Sequence, residues 1–296
     1  MGNSLQSRII IIKLGGSVVT FKGSQFPKAR ISTIRRLASE IQQIDKKRYQ
    51  LILVHGAGSF GHPLAKKYNL IQGLKDQNSC IGFAETAQAM VKLNQIIMLA
   101  LHKCGLPAIN LPPHTFITQT NNRLDEFDTS LIKNLLKKGF IPVLYGDPVI
   151  DKKLGCSILS GDVIIPYLAK KLKAEKVIFL TDVDGIFDDD PKKNSRAKLI
   201  REVNNDNLDQ VLYNIKIGDR DDVTGEMAGK ILAIQKNLKG KKVIITNGLK
   251  PKSLLKAMDQ NPAGTMLHPF SKSPTTISKS SDTGKSCTCT QASSSG

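Results

Sequence analysis

Glycines and histidines are concentrated in one short stretch, where they could bind an anion. In the sequence LVHGAGSFGHP, Gly56, Gly58 and Gly61 follow an apolar run, and His62 stands next to Pro63. Glycine lets the backbone approach a ligand closely, and the N–H groups of a helix that begins at Pro63 would favour an anion. The stretch therefore predicts a phosphate cradle, with a plain tight turn as the alternative.

Phosphate chemistry also needs positive charge, and further segments could supply or position it. KLGGS begins at Lys13, TDVDG begins at Thr181, and LSGD ends at Asp162. KLGGS, TDVDG and the glycine-rich stretch each follow a predicted strand, and α/β sheets bind ligands at the carboxyl ends of their strands. For a single lysine, a surface role is the ordinary expectation.

The imidazole of His62 could donate a hydrogen bond to a phosphate group. A phosphate monoester has a second pKa near 6, so it is mostly ionised at neutral pH and needs a hydrogen-bond donor rather than a general base. Helix capping is the alternative role for His62. His55 is interpreted as a strand-end residue and is assigned no role.

Alternating strands and helices are predicted to bring these segments together. Apolar residues at helical spacing run from Ile31 to Ile44, and a long helix is predicted from Gly82 to about His102. Strand-like apolar runs span Ile9 to Lys13, Leu51 to Val54, Ile141 to Tyr145, Val177 to Leu180, and Val243 to Thr246. Such runs are typical of parallel strands that are covered on both faces, and the sequence therefore predicts a doubly wound α/β fold.

Four motifs, in their order along the chain, resemble the amino acid kinase family. They are KLGGS at 13–17, LSGD at 159–162 with the following IIPYLAKKLKA, VIFLTDVDGIF at 177–187, and DVTGEMAGKI at 222–231. The resemblance extends to about His268. Within the family, GSFGHP, the AKKY that follows it and the GF and AM pairs within 82–90 are similar to the isopentenyl phosphate kinases.

This resemblance implies a fold, a reaction and two cofactors. The fold is an αβα sandwich with a mainly parallel sheet flanked by helices, in two lobes: a phosphate-acceptor lobe at 8–174 and a nucleotide-binding lobe at 175–268. The reaction is ATP-dependent phosphorylation of isopentenyl phosphate to isopentenyl diphosphate, a step of isoprenoid biosynthesis by a mevalonate-type route. ATP and Mg²⁺ are the implied cofactors, and no protein metal ligand is assigned because phosphates and water can carry the ion. A homodimer is implied as well.

The resemblance also implies roles for individual residues. Catalysis is assigned to Lys13, His62, Asp162 and Lys230, and Asp162 is expected to hold the two lysines in place. Contacts with the acceptor are assigned to Gly56, Ala57, Gly58, Gly61, His62, Phe83, Met90 and Gly161. Contacts with the nucleotide are assigned to Lys13, Gly15, Gly16, Ser17, Lys22, Thr181, Asp182, Asp184, Gly225 and Lys230. Phe83 and Met90 share a helical face and are placed against the prenyl tail, with ordinary core packing as the alternative.

One residue departs from the family's pattern, and two rival functions stay open. Glu226 stands where relatives commonly have glycine. Its carboxylate would repel the ATP phosphates if it pointed inward, whereas an outward orientation would complement a helix dipole. One rival function is that of another small-molecule kinase of the family, similar to fosfomycin kinases. The other is a catalytically idle nucleotide-sensing module or a basic binding module.

The composition predicts the partners, the location, the state of the cysteines and the nature of the C-terminal tail. The net charge of +18 permits phosphorylated ligands, nucleic acid or an anionic membrane, but few aromatics are interleaved with the charges and no nucleic-acid partner is predicted. No apolar run approaches the roughly 18 residues of a membrane helix, so a cytoplasmic protein without stable membrane insertion is predicted. The five cysteines lack the paired spacing of a zinc site and predict reduced thiols. Residues 269–296, rich in Ser, Thr and Lys, predict a disordered tail.

Overall fold

Strands and helices alternate along most of the chain. Their positions come from a computed structural model, which describes residues 8–24, 26–189, 191, 194–217, 231–232, 234–235, 237–238, 240–259 and 261–268. The predicted tail at 269–296 lies outside the described residues.

The elements have the following bounds. The helices are α1 (Gly16–Val19), α2 (Ile31–Gln43), α3 (Gly58–Lys67), α4 (Gln77–Lys103), α5 (Ser130–Lys137), α6 (Gly161–Lys171), α7 (Leu208–Ile217) and α8 (Ser253–Met258). The strands are β1 (Arg8–Leu14), β2 (Tyr49–His55), β3 (Ala108–Asn110), β4 (Ile117–Thr120), β5 (Arg123–Phe127), β6 (Ile141–Tyr145), β7 (Asp147–Asp151), β8 (Gly155–Leu159), β9 (Lys176–Thr181), β10 (Ile186–Phe187), β11 (Leu199–Ile200), β12 (Glu202–Val203), β13 (Lys242–Asn247) and β14 (Thr265–Leu267). Within the described part of the chain, no helix has the length and apolar character needed to cross a membrane.

Eight strands form one central sheet. Their order is β12-β14-β13-β9-β1-β2-β6-β3, and every neighbouring pair is parallel except β13 with β14. Successive residues of β1 face opposite sides of the sheet, since Ile10 and Ile12 belong to one buried cluster and Ile11 belongs to another. Both faces are therefore covered, which explains the uninterrupted apolar runs in these strands. The predicted doubly wound α/β fold is confirmed.

The predicted strands are confirmed, but the predicted start of the long helix is wrong. Each of the five predicted apolar runs lies within β1, β2, β6, β9 or β13. The long helix α4 begins at Gln77 rather than at Gly82. It begins there because the Asp76 carboxylate accepts a hydrogen bond from the backbone N–H of Ser79 at 2.8 Å, which caps the first turn.

A second sheet of four strands was not predicted. Its strand order is β5-β4-β7-β8. The strands β4 and β5 are joined by Asn121 and Asn122, whose φ angles of 52° and 61° lie in the left-handed region that asparagine tolerates in tight hairpin turns. Each strand has only four or five residues, so none of them carries a sustained alternation of apolar and polar residues.

The Asp151 carboxylate joins the two hairpin turns of this second sheet. It accepts hydrogen bonds from the backbone N–H groups of Asn121, Asn122, Lys153 and Leu154 at 2.8 to 3.0 Å. Burial alone would raise the pKa of this carboxyl, but the four N–H groups outweigh burial and hold the pKa well below its usual range. Asp151 is therefore ionised in the folded protein and organises the turn that leads into β8.

Replacing Asp151 with alanine should destabilise the protein by roughly 3 kcal/mol at neutral pH, because four backbone N–H groups of the two turns would lose their acceptor. The pKa of the Asp151 carboxyl is lower in the folded protein than in the unfolded chain, where it is about 4. The stabilisation is therefore fully present above the unfolded pKa and is lost as the pH falls through the folded pKa. The difference between wild type and variant in the free energy of unfolding should therefore shrink below about pH 4 in denaturant titrations. Asp125→Ala, which removes an exposed carboxylate of β5, is the matched control. A loss no larger than that of the control would contradict the role of Asp151.

Candidate active site

The glycine-rich segments converge on one cavity at the carboxyl edge of the central sheet. The strands β9, β1 and β2 are parallel neighbours, so the residues that follow them lie at the same edge. The cavity has a volume of about 660 Å³ and is lined by these three segments, the start of α6, residues of α3 and α4, and the β7–β8 hairpin. The prediction that three strand ends share one crevice is confirmed.

The loops after β1 and β2 pack backbone against backbone. A Cβ atom on Gly16 would lie 2.7 Å from the backbone nitrogen of Gly58, and a Cβ atom on Gly56 would lie 2.6 Å from that of Gly16. Thr20 connects the loops, since its hydroxyl donates to the Gly16 carbonyl at 2.8 Å and accepts from the Ser59 N–H at 3.0 Å. Side chains do not fit between the loops, so the glycines are needed for the two segments to form one surface.

Lys13 lies near the end of β1 and forms an ion pair with Asp162. Its side chain is largely buried, and its Nζ lies 2.7 Å from each oxygen of the Asp162 carboxylate. Asp162 lies in the first turn of α6, which is capped by the Ser160 hydroxyl accepting from the Asp162 N–H at 3.1 Å. The ammonium group is thus held beside the N-terminus of a helix, and both features favour an anion.

His62 lies in the second turn of α3, and it lines the cavity. The predicted helix start at Pro63 is wrong, because α3 begins at Gly58 and contains Pro63. The helix starts earlier because Thr20, from another segment, accepts the hydrogen bond of the Ser59 N–H. This N–H is therefore used within the protein, whereas the imidazole of His62 is exposed and lines the cavity.

His55 ends β2 and is fully buried. Its ring stacks on Tyr145 with a centroid distance of 4.9 Å, and its Nε2 lies 3.2 Å from Asn94 Oδ1. Burial lowers the pKa of His55 to about 4, since it outweighs the hydrogen bonds with the Gly56 carbonyl and Asn94 that would raise the pKa. The ring is therefore uncharged at neutral pH and supports the strand end beneath the glycine loop.

Known proteins are similar to this chain in both sequence and fold. Residues 8–247 match the sequence model of the amino acid kinase family. The chain belongs to this family. It is 38% identical over 266 residues to the isopentenyl phosphate kinase of Methanocaldococcus jannaschii, which covers 87% of this chain and 97% of that protein. It is 39% identical to the isopentenyl phosphate kinase of Methanothermobacter thermautotrophicus, which covers 75% of this chain and 84% of that protein.

A solved isopentenyl phosphate kinase structure is also similar to this amino acid kinase. The two chains superpose with a TM-score of 0.75 at 34% sequence identity, and the match covers 88% of this chain and 99% of the other. The likeness covers most of this chain and supports the same overall fold.

This amino acid kinase places most of its predicted site residues on the cavity wall. Besides Lys13, His62 and Asp162, the wall includes Gly15, Gly16, Ser17, Lys22, Gly56, Ala57, Gly58, Gly61, Met90, Gly161, Thr181 and Asp182. Gly225, Glu226 and Lys230 lie outside the described residues, and the roles assigned to them stay predictions.

Two predicted site residues, Phe83 and Asp184, do not line the cavity. Phe83 precedes Met90 by two helical turns, so it lies about 10 Å further along the axis of α4. Asp184 instead binds Lys250, with Nζ 2.6 Å from Oδ2, and accepts from the Asn247 side-chain amide at 2.9 Å. Burial alone would raise the pKa of Asp184, but these hydrogen bonds outweigh burial and hold the pKa below its usual value.

Part of the cavity wall is apolar and includes residues that were not predicted. Met90 of α4 lies there with Pro148 and Ile158, which face each other across the β7–β8 hairpin. Thr86 is one turn from Met90, and its hydroxyl donates to the Gly82 carbonyl at 2.7 Å, so its polar group is satisfied within the helix. This wall was missed because the β7–β8 hairpin itself was not predicted.

The donor set of the cavity offers few ligands for a metal ion. Within the described residues, no group of three or more His, Cys, Asp or Glu side chains could hold one. Three carboxylates, Asp147, Asp162 and Asp182, line the cavity; Asp147 is hydrogen-bonded to His114, and Asp162 is bound to Lys13. Mg²⁺ usually keeps several waters and binds through one or two carboxylates together with substrate phosphates, and such an ion fits this site.

Proposed function

We propose that this amino acid kinase transfers the γ-phosphoryl group of ATP to isopentenyl phosphate and forms isopentenyl diphosphate and ADP, a step of isoprenoid biosynthesis. The cavity carries this proposal, because its lining combines two kinds of group: the charged and polar side chains of Lys13, Asp162 and His62, and an apolar wall. The charged and polar side chains suit phosphate groups, and the apolar wall suits a short hydrocarbon tail. Isopentenyl phosphate kinases at 38% and 39% identity support the same acceptor.

The chemistry requires positioning and neutralisation of charge. The acceptor phosphate is mostly ionised at neutral pH, so one of its oxygens can attack the γ-phosphorus without a general base. A new P–O bond forms as the bond to the bridging oxygen breaks, and ADP leaves. Lys13 neutralises charge on the transferring group, Asp162 orients Lys13, and His62 donates a hydrogen bond to the acceptor phosphate. Bound Mg²⁺ would neutralise further charge on the phosphate oxygens.

The nucleotide and the acceptor are assigned to different parts of the chain. Thr181 ends β9 and Asp182 follows it, and both line the cavity, which supports a nucleotide-binding lobe at 175–268. Gly61, His62 and Met90 line it from α3 and α4, which supports an acceptor lobe at 8–174. The proposal includes a cytoplasmic homodimer, and light scattering of the purified protein would test the dimer.

A panel of acceptors tests the proposed function. ADP release should be measured with isopentenyl phosphate, glutamate, fosfomycin and UMP under the same conditions. We expect isopentenyl phosphate to give the highest kcat/KM. A higher value with fosfomycin would favour the rival kinase, whereas no ADP release with any acceptor, combined with a salt-dependent gel shift, would favour the basic binding module.

Met90 should limit the length of the hydrocarbon tail. Its sulfur would lie 2.8 Å from a Cβ atom on Gly61, so it fills the space beside α3. Met90→Ala should raise kcat/KM for geranyl phosphate relative to isopentenyl phosphate by roughly tenfold or more. Phe83→Ala is the matched control, since Phe83 lies on the same helix away from the cavity wall, and it should leave the chain-length ranking unchanged. An unchanged ranking in folded Met90→Ala would assign Met90 to core packing alone.

A further inference from the structure

An ion pair on α2, between the buried Glu40 and the partly exposed Arg36, binds the segment that links β13 to α8. Glu40 is only 4% exposed, and its carboxylate forms an ion pair with Arg36 one turn earlier on the helix. Its two oxygens also accept hydrogen bonds from the backbone N–H groups of Lys252 at 3.0 Å and Leu254 at 3.2 Å. These amides belong to the 248–254 segment, which connects β13 to the first turn of α8. A buried carboxylate needs such partners to offset its desolvation.

Arg36 binds the same segment through its carbonyl groups. Its guanidinium donates to the Gly248 carbonyl and to the Lys250 carbonyl, the latter at 3.1 Å. The segment is also packed closely from the other side, because a Cβ atom on Gly248 would lie 2.8 Å from side-chain atoms of both Leu180 and Val18. Four backbone groups of the segment are thus fixed by two side chains of α2.

The 248–254 segment in turn contacts the part of the cavity assigned to the nucleotide. The Gly248 N–H donates to the Thr181 carbonyl at 2.8 Å, and Thr181 lines the cavity. Lys250 and Asn247 both donate to the Asp184 carboxylate, at 2.6 and 2.9 Å. The turn from Thr181 to Asp184 is therefore held by the segment that the ion pair holds.

We propose that the Arg36–Glu40 pair is a positioning device for nucleotide binding: it fixes the 248–254 segment, which fixes the Thr181–Asp184 turn. Neither side chain lines the cavity, so the pair acts through the segment rather than on the substrate. This inference rests on the proposed function, because it takes the Thr181–Asp184 turn as the nucleotide side. It predicts that weakening the pair impairs binding of ATP but not of the acceptor.

Separate calorimetric titrations of ATP and of isopentenyl phosphate test the inference without turnover. Glu40→Gln should raise the Kd for ATP by roughly tenfold or more, while the Kd for isopentenyl phosphate stays within about twofold. Arg36→Lys keeps the charge opposite Glu40, but the lysine cannot donate to two carbonyls at once, so this variant should raise the Kd for ATP by a smaller factor. If Glu40→Gln does not fold, the Arg36→Lys result tests the inference instead. Glu175→Gln, which breaks the exposed Arg8–Glu175 pair, is the matched control and should change neither value.

The outcomes separate this inference from the proposed function. If a variant binds ATP and isopentenyl phosphate more weakly by the same factor, the pair has only a structural role and the inference is overturned. A lower melting temperature with unchanged affinity for ATP would have the same meaning. If the folded variants bind ATP as tightly as the wild-type protein does, the inference is overturned and the proposed function is unaffected. Wild-type protein that binds no ATP would refute the proposed function and, with it, the inference.

Discussion

Replacing Lys13 with methionine should lower kcat by roughly a hundredfold or more, with a much smaller change in the KM for isopentenyl phosphate. Methionine keeps much of the side-chain volume but removes the ammonium group that lies 2.7 Å from both Asp162 oxygens. The loss falls mainly on the transition state, where charge develops on the transferring group. Steady-state rates at saturating ATP and acceptor provide the measurement.

Two further variants make the Lys13 result specific. Lys171→Met removes an exposed lysine from the last turn of α6, far from the first turn that carries Asp162, and it should leave kcat unchanged. Asp162→Asn keeps the ammonium group but weakens the pair that orients it, so kcat should fall less than in Lys13→Met. Near-normal turnover of folded Lys13→Met protein would remove Lys13 from the reaction.

Replacing His62 with alanine should lower turnover of isopentenyl phosphate by roughly ten- to a thousandfold, the range for loss of a charge-assisted or transition-state hydrogen bond. The Kd for ATP should stay nearly unchanged, since His62 lies on α3, on the side of the cavity assigned to the acceptor. His62→Gln can still donate a hydrogen bond and should retain more activity than His62→Ala. Kinetics with each substrate varied in turn separate the two effects.

A matched histidine provides the control for His62. His102 lies at the exposed end of α4, where its Nε2 is 3.0 Å from the Ala108 carbonyl oxygen, and it does not line the cavity. His102→Ala should therefore leave the kinetics of both substrates unchanged. If His62→Ala weakened ATP binding and left the acceptor kinetics intact, the glycine loop after β2 would belong to the nucleotide instead.

The central strands could be predicted because burial on both faces demands apolar residues whatever the strands pair with. The second sheet could not be predicted, since its short strands depend on contacts such as those of Asp151, which collects N–H groups from two separate turns. The helix α3 shows the same limit. Its early start depends on Thr20, which is distant in sequence from Ser59.

Parts of the site could be predicted because close approach of the backbone to a ligand requires glycine, and binding of phosphate requires positive charge. Gly56, Gly58 and Gly61 also fit the G-x-G-x-x-G spacing after a strand and at a helix start, a phosphate-binding signal that the sequence carries. Helical periodicity assigns a residue such as Phe83 to a face and not to a position along the axis, so the sequence alone could not tell whether Phe83 reaches the cavity wall. The Arg36–Glu40 pair had no local signal, since its partners come from a segment more than two hundred residues later.

The central claim is that the phosphate of isopentenyl phosphate accepts the γ-phosphoryl group of ATP. Phosphorus NMR of wild-type protein with ATP, Mg²⁺ and isopentenyl phosphate tests this claim most directly. We expect the acceptor's monophosphate resonance to be replaced by the two coupled resonances of a diphosphate ester, while ADP accumulates in equal amount. Conversion of ATP to ADP and inorganic phosphate with the monophosphate resonance unchanged, or no consumption of ATP at all, would contradict it.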